Sequence, residues 1–130
     1  MPYTAPNTKP TIKFTADLEP VPFKRALTCG KLHFNDSRYS GFKEALGFYA
    51  KIAMDAEGQA PFTGRIKILV DVFRNLKPES LKYGDADNHL KAVCDALNGI
   101  AFADDRQVIS ATINLHKGTP PHIDIELEEL

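Results

Sequence analysis

The sequence predicts an α+β fold, a single domain built on one mixed β-sheet with two main helices, in the order β(β)αβαββ. Two kinds of patterning predict it. Apolar and polar side chains alternate with a period of two over residues 11–18, 64–73, 106–116 and 122–127, as in half-buried strands. Between them lie two segments whose apolar residues recur three and four apart, as on one face of a helix. Length agrees: 130 residues, 43% hydrophobic and 25% charged, suffice for one core without disulfide or metal staples.

Residues 1–10, rich in Pro, Thr and Asn, lack apolar periodicity and are expected to form a flexible arm ahead of a domain spanning 11–130. In the first strand Ile12, Phe14, Ala16 and Leu18 alternate with Lys13, Thr15 and Asp17. Pro20 and Pro22 then enforce an extended loop, basic at Lys24 and Arg25. Residues 30–35 have the composition of a short second strand. From Ser37 the spacing of Phe42, Leu46, Tyr49, Ala50 and Ala53 predicts a helix that ends near Gly58, with Asp36 or Ser37 as its cap. Residues 64–73 are rich in branched side chains and predict a long central strand, with Arg65, Lys67 and Asp71 to one side. A linker over 75–84 leads to a second helix with Leu90, Val93, Cys94 and Leu97 on its apolar face and Asn98-Gly99 as its stop signal. Two strands follow, joined by a turn containing Gly118 and Pro120-Pro121.

No run approaches the ~18 to 20 apolar residues of a membrane span, and the amino terminus lacks a signal-peptide pattern, so a cytoplasmic protein is expected. Cys29 and Cys94 have no zinc-like spacing, and Cys94 reads as core packing. The four histidines, His33, His89, His116 and His122, show no metal-ligand spacing either. His89 reads as an exposed helix residue. The net charge of −1 hides an asymmetry: residues 1–82 carry a balance of +5, residues 83–130 one of −6.

Five of the ten aspartates fall between positions 85 and 105, with no glutamate among them: Asp85, Asp87, Asp95, Asp104 and Asp105. Short carboxylates hold oxygen close to the backbone and suit a hard ion such as Mg²⁺, so the region is the expected metal site, and phosphodiester cleavage the chemistry it suggests. A calcium loop of the EF-hand kind is excluded, because Leu90 and Ala96 stand where it needs Gly and Glu. Asp87, Lys91 and Asp95 are each four apart and form a column beside the apolar stripe. Each also has an ordinary reading: Asp87 as a helix cap, Lys91 as a surface ion-pair partner, Asp104-Asp105 as a turn.

The pattern Asp85-x-Asp87-Asn88-x-x-Lys91-x-x-x-Asp95-Ala-Leu97, then Asn98-Gly99 and Asp104-Asp105-x-Gln107-Val108, resembles the signature of the RusA family of Holliday junction resolvases. Upstream, Pro20-x-Pro22-x-Lys24-Arg25 is a second, weaker likeness, and the resemblance runs in order from Ile12 to Leu127. It implies a homodimeric endodeoxyribonuclease, bacterial or phage-encoded, that nicks four-way DNA junctions with Mg²⁺ or Mn²⁺ in recombination and repair and needs no small-molecule cofactor. On that likeness Asp85, Asp87 and Asp105 are the metal-binding carboxylates, Lys91 is the essential lysine, and Asn88, Asp95 and Asp104 support them. Lys24, Arg25, Lys31 and Lys82 are the expected DNA contacts, with Lys91; Tyr83 is placed to stack on an unpaired base. Gly84 departs from the pattern, standing where relatives often carry a proline or a basic residue. The alternative is a catalytically silent DNA-binding relative of the same fold. Such a descendant is expected to lose carboxylates or the lysine, and this chain keeps all four.

Overall fold

A computed structural model describes residues 10–24 and 37–130. The expected strand at 30–35, the cap candidate Asp36 and most of the expected arm lie outside the described residues. Six principal elements follow in order: β1 (Thr11–Ala16), α1 (Ser37–Ala56), β2 (Ile66–Arg74), α2 (Ala86–Leu97), β3 (Val108–Lys117) and β4 (His122–Glu129). A short 3₁₀ turn, Asp105–Gln107, precedes β3.

The strands form one mixed sheet in the order β1-β4-β2-β3. β4 runs antiparallel to both β1 and β2, whereas β2 and β3 are parallel. A parallel pair requires a crossover, and α2 provides it. β3 and β4 are consecutive in the chain but do not pair, because β2 lies between them. The short Gly118–Pro121 connection therefore passes over the end of β2, where Gly118 N donates to Arg74 O.

One sheet face is apolar and carries the helices. Ile12 and Ala16, Ile68, Val70 and Val72, and Ile123, Ile125 and Leu127 line up across β1, β2 and β4 and are buried against Phe42, Leu46, Ala50 and Met54 of α1 and Val93 and Leu97 of α2. The other face is polar, with Lys13, Lys67, Asp71, Asp124 and Glu126 on it. Asp71 and Asp124 stand directly opposite each other across β2 and β4. Their repulsion is relieved locally: His116 Nε2 and Asn114 Nδ2 meet Asp71 Oδ1 at 2.8 and 3.1 Å, and Thr15 Oγ1 donates to Asp124 Oδ1 at 2.6 Å.

Each helix stops where the sequence has glycine. After α1, Gly58 takes a φ of 61°, and Gln59 N donates to Met54 O. After α2, Asn98 N donates to Cys94 O and Gly99 has a φ of 81°. The helices approach closely at Gly47: a Cβ there would lie 2.7 Å from Ile100 Cδ1 and 3.2 Å from Ala96 O. Cys94 is buried, as expected of a packing residue.

Candidate active site

The cluster is built on α2 and the turns at either end of it. Arg74, at the end of β2, donates through Nη1 to Tyr83 O at 2.8 Å and holds the end of the linker in place. Gly84 follows with a φ of 93°, a conformation closed to proline and strained for any side chain, and a Cβ there would lie 2.8 Å from His89 Nε2. This geometry accounts for the glycine at a position where the family pattern has other residues.

Asp85 is the N-cap of α2. Its Oδ1 accepts from Asp87 N at 3.1 Å. The ordinary reading that made Asp87 the cap is thus corrected. Asp85 alone is extended, and Asp87 sits in the first helical turn, because the Asp85 carboxylate closes that turn. Both side chains are exposed, and Asp87 accepts no hydrogen bond from a described residue. A carboxylate at this end of a helix is also favoured by the free amides there.

Lys91 and Asp95 continue the column. Lys91 Nζ lies 3.6 Å from Asp95 Oδ1, and Tyr39 of α1 donates from its hydroxyl to Asp95 Oδ2 at 2.7 Å. Burial, then the hydrogen bond to Asp95, raises the Tyr39 hydroxyl above its usual range, so it is a proton donor at any physiological pH. Lys91 Nζ also lies 4.9 Å from the centre of the Phe23 ring. Phe23 N donates to Asn88 O at 3.0 Å, so the Pro20–Lys24 segment is docked on α2 one turn before Lys91. Asn88 makes this contact with its main chain; its expected supporting role does not require the side-chain amide.

His89 is buried, with only 2% of its surface exposed, which overturns its reading as an exposed residue. The buried face of α2 runs through His89, Ala92, Val93, Cys94, Ala96 and Leu97, and Leu90 is only half-buried. Among the described residues His89 Nε2 has no hydrogen-bond partner. Burial, then the neighbouring Arg74 guanidinium, pushes the imidazole pKa down and keeps the ring neutral.

Asp104 and Asp105 lie before β3. The strand expected from residue 106 starts instead at Val108, and Asp105 opens the 3₁₀ turn before it. The cause is a reciprocal cap. Asp104 Oδ1 accepts from Arg106 N at 2.8 Å, Gln107 Oε1 accepts from Asp104 N at 3.0 Å, and Gln107 Nε2 donates to Phe62 O and Gly64 O. Hydrogen bonds from Arg106 hold the exposed Asp104 carboxyl down at about 2. Asp105 bears on the middle of α2: the Cys94 thiol is pushed up to about 11 by burial, then by the Asp105 and Asp95 carboxylates.

Among the described residues no three His, Cys, Asp or Glu side chains lie close enough together to hold a metal ion. Asp85, Asp87 and Asp105 are therefore not gathered into one ligating group in this structure. The donor chemistry of the first two nonetheless fits a hard divalent cation: two exposed carboxylates, with Asp85 Oδ2 and the whole Asp87 carboxylate left uncommitted. Of the expected DNA contacts, Lys24 lies on the docked segment beside Phe23 and Lys82 on the linker before Tyr83, both exposed, while Arg25 and Lys31 fall outside the described residues. Tyr83 is half-buried and carries Lys117 Nζ 5.2 Å from its ring centre. Sequence reasoning missed Phe23, Tyr39 and Arg74, whose partners are all distant in the chain or across the linker. An aromatic beside the basic pair of the proline loop was the available signal for Phe23.

The family model described as endodeoxyribonuclease RusA matches residues 17–128, a span that includes the docked segment, both helices, β2, β3 and all but the last residue of β4, and leaves out β1. The chain belongs to the RusA endodeoxyribonuclease family. It is also similar to a protein of Bacillus subtilis (strain 168) described as the uncharacterized protein YqaN, 27% identical over 139 aligned residues that cover 92% of this chain and 96% of the relative. Membership of the RusA family gives the column on α2 a functional context that geometry alone lacks. No helix of the described residues is long and apolar enough to cross a membrane.

Proposed function

We propose that this protein is a metal-dependent endodeoxyribonuclease that nicks four-way DNA junctions during recombination and repair, acting as a homodimer in the cytoplasm of a bacterial or phage-infected cell. The observation that carries this reading is the retention, within the RusA match, of Asp85, Asp87, Lys91 and Asp105 together. A silent DNA-binding descendant has no use for that set. Asp85 and Asp87, with Asp105, would hold Mg²⁺, for which Mn²⁺ would substitute; a cation held there would supply Lewis-acid activation of water and charge neutralisation at the leaving oxygen.

The chain's own residues do the rest. Asp85 and Asp87 place negative charge at the start of α2, held there by the cap and by the Arg74 contact to Tyr83. Lys91 lies one helical turn further and donates a hydrogen bond to a non-bridging phosphoryl oxygen as negative charge grows there. Hydrolysis joins a water oxygen to phosphorus and breaks one bond from phosphorus to a sugar oxygen. One proton of the water ends on that sugar oxygen and the other passes to solvent. Asp95 orients Lys91, and Asn88 and Asp104 support the turns that carry the carboxylates. Exposed Lys24 and Lys82, with Arg25 and Lys31, contact DNA phosphates. A two-fold substrate cut on opposed strands requires two such sites, which is the physical reason for a dimer.

The test is a cleavage assay on a synthetic four-way junction and on linear duplex, with and without Mg²⁺. Nicking of the junction alone, and only with the metal, is expected. Asp87→Asn should abolish nicking while junction binding, measured by gel shift, stays within about threefold. Equal cutting of duplex and junction would refute junction selectivity, and wild-type rates in the mutant would refute the metal role of Asp87.

A further inference from the structure

Four side chains from three separate segments, Lys91 among them, form a closed circuit of contacts. Lys91 Nζ is 3.6 Å from Asp95 Oδ1 and 4.9 Å from the Phe23 ring centre. Tyr39 completes the circuit. Its hydroxyl occupies Asp95 Oδ2 at 2.7 Å, and its ring meets Phe23 edge to face at 5.8 Å between centres and 68° between planes. Outside the circuit, Lys43 Nζ stands 4.8 Å from the Tyr39 ring centre.

We propose that Phe23 and Tyr39 are positioning residues for Lys91, fixing where its ammonium stands before a phosphate arrives. This rests on the reading of Lys91 given above. A lysine on a helix surface has four flexible side-chain bonds, and the Lys91 side chain is 48% exposed. An ion pair four residues away in such a setting constrains it weakly. Two further contacts change that. The Tyr39 hydroxyl takes one oxygen of Asp95 and leaves Oδ1 turned to the lysine, so the carboxylate does not rotate freely. The face of the Phe23 ring attracts the same cation. Phe23 is itself held, because its amide is tied to Asn88 O. The Pro20–Lys24 segment therefore does more than display basic residues to DNA; it supplies one wall of the lysine's seat.

The test combines two readouts on the full-length protein. In free protein, NMR of the Lys91 side chain should show its Cε protons shifted upfield by the Phe23 ring current. Phe23→Leu should remove the shift and Phe23→Trp should keep it. In single-turnover junction cleavage with Mg²⁺, Phe23→Leu and Tyr39→Phe should each slow nicking about fivefold with junction affinity unchanged, and Phe23→Trp should restore the rate. In a Lys91→Ala background, already slow, Phe23→Leu should add nothing, because the residue it positions is gone. Full-rate nicking by both Phe23→Leu and Tyr39→Phe, or an equal loss from Phe23→Leu with and without Lys91, would overturn the proposal alone. Wild-type nicking by Lys91→Ala would overturn the catalytic reading on which it rests. Tyr39→Phe removes a single oxygen and retains the ring packing, so it reports even where Phe23→Leu disturbs the loop.

Discussion

His89 shows how a side chain's neighbours override its chemical type. An imidazole on α2 reads as a surface residue, yet it lies under the Gly84–Asp85 turn with Nε2 unpartnered. Burial and Arg74 lower its pKa below the unfolded value of about 6.5, so the unfolded chain takes up the proton first. Stability is therefore full above pH 6.5 and falls as the pH drops below it toward the folded pKa. His89→Leu should remove that dependence between pH 6.5 and 5 in denaturant titrations. The same change deletes a buried polar atom that has no partner, and should stabilise the protein by about 1 kcal/mol at pH 7. An unchanged slope with pH would show that His89 is not the titrating group. Gly84 is legible only in the same context: the sequence marks it as a departure from the family pattern, and the φ of 93° shows what the departure permits.

At the start of α2, Asp85 is the N-cap and, in the proposed function, a metal ligand, and substitutions separate the two. Asp85→Ala loses both the cap and a carboxylate, and should cost about 1 kcal/mol of stability as well as nicking activity. Asp85→Asn keeps a side-chain oxygen for the Asp87 amide and removes the charge, so thermal unfolding should stay close to wild type while nicking falls. If both variants unfold alike, the cap contributes nothing measurable. The course of α2 was readable from its apolar spacing and from Asn98-Gly99, because a helix buries one local stripe and stops at a local signal. The width of that stripe was not, since His89 joins it only when the turn at Gly84 packs over it, while Leu90 stays half-buried against the core. The start of β3 was also out of reach: Gln107 is held back from the strand by hydrogen bonds to Phe62 and Gly64, some forty residues earlier.

Across the chain, the excess of positive charge in residues 1–82 faces a task opposite to that of the acidic part, residues 83–130. Under the proposed function, phosphate contacts from the first part would carry the DNA affinity, and each one formed would make binding more sensitive to salt. Replacing Lys24 and Arg25 together by alanine should reduce the slope of log K against log salt by about 2, measured by fluorescence anisotropy on a four-way junction. An unchanged slope would move the DNA surface away from the proline loop. The mixed sheet gives these parts a common frame, because β2 runs from the basic part directly to the linker and Arg74 anchors the turn that bears Asp85.

The amino-acid order alone was sufficient for the α+β class, the two helices and the four described strands, and it isolated the carboxylates and lysine of the RusA pattern. Those features rest on local periodicity, on glycine stops and on residue types at short spacing. Tertiary packing alone settled that β2 separates β3 from β4, that His89 is buried, that Asp105 opens a 3₁₀ turn, and that Phe23 meets Lys91 while Tyr39 holds Asp95. Each of these depends on contacts between residues far apart in the chain, and no local pattern encodes the register in which distant segments meet.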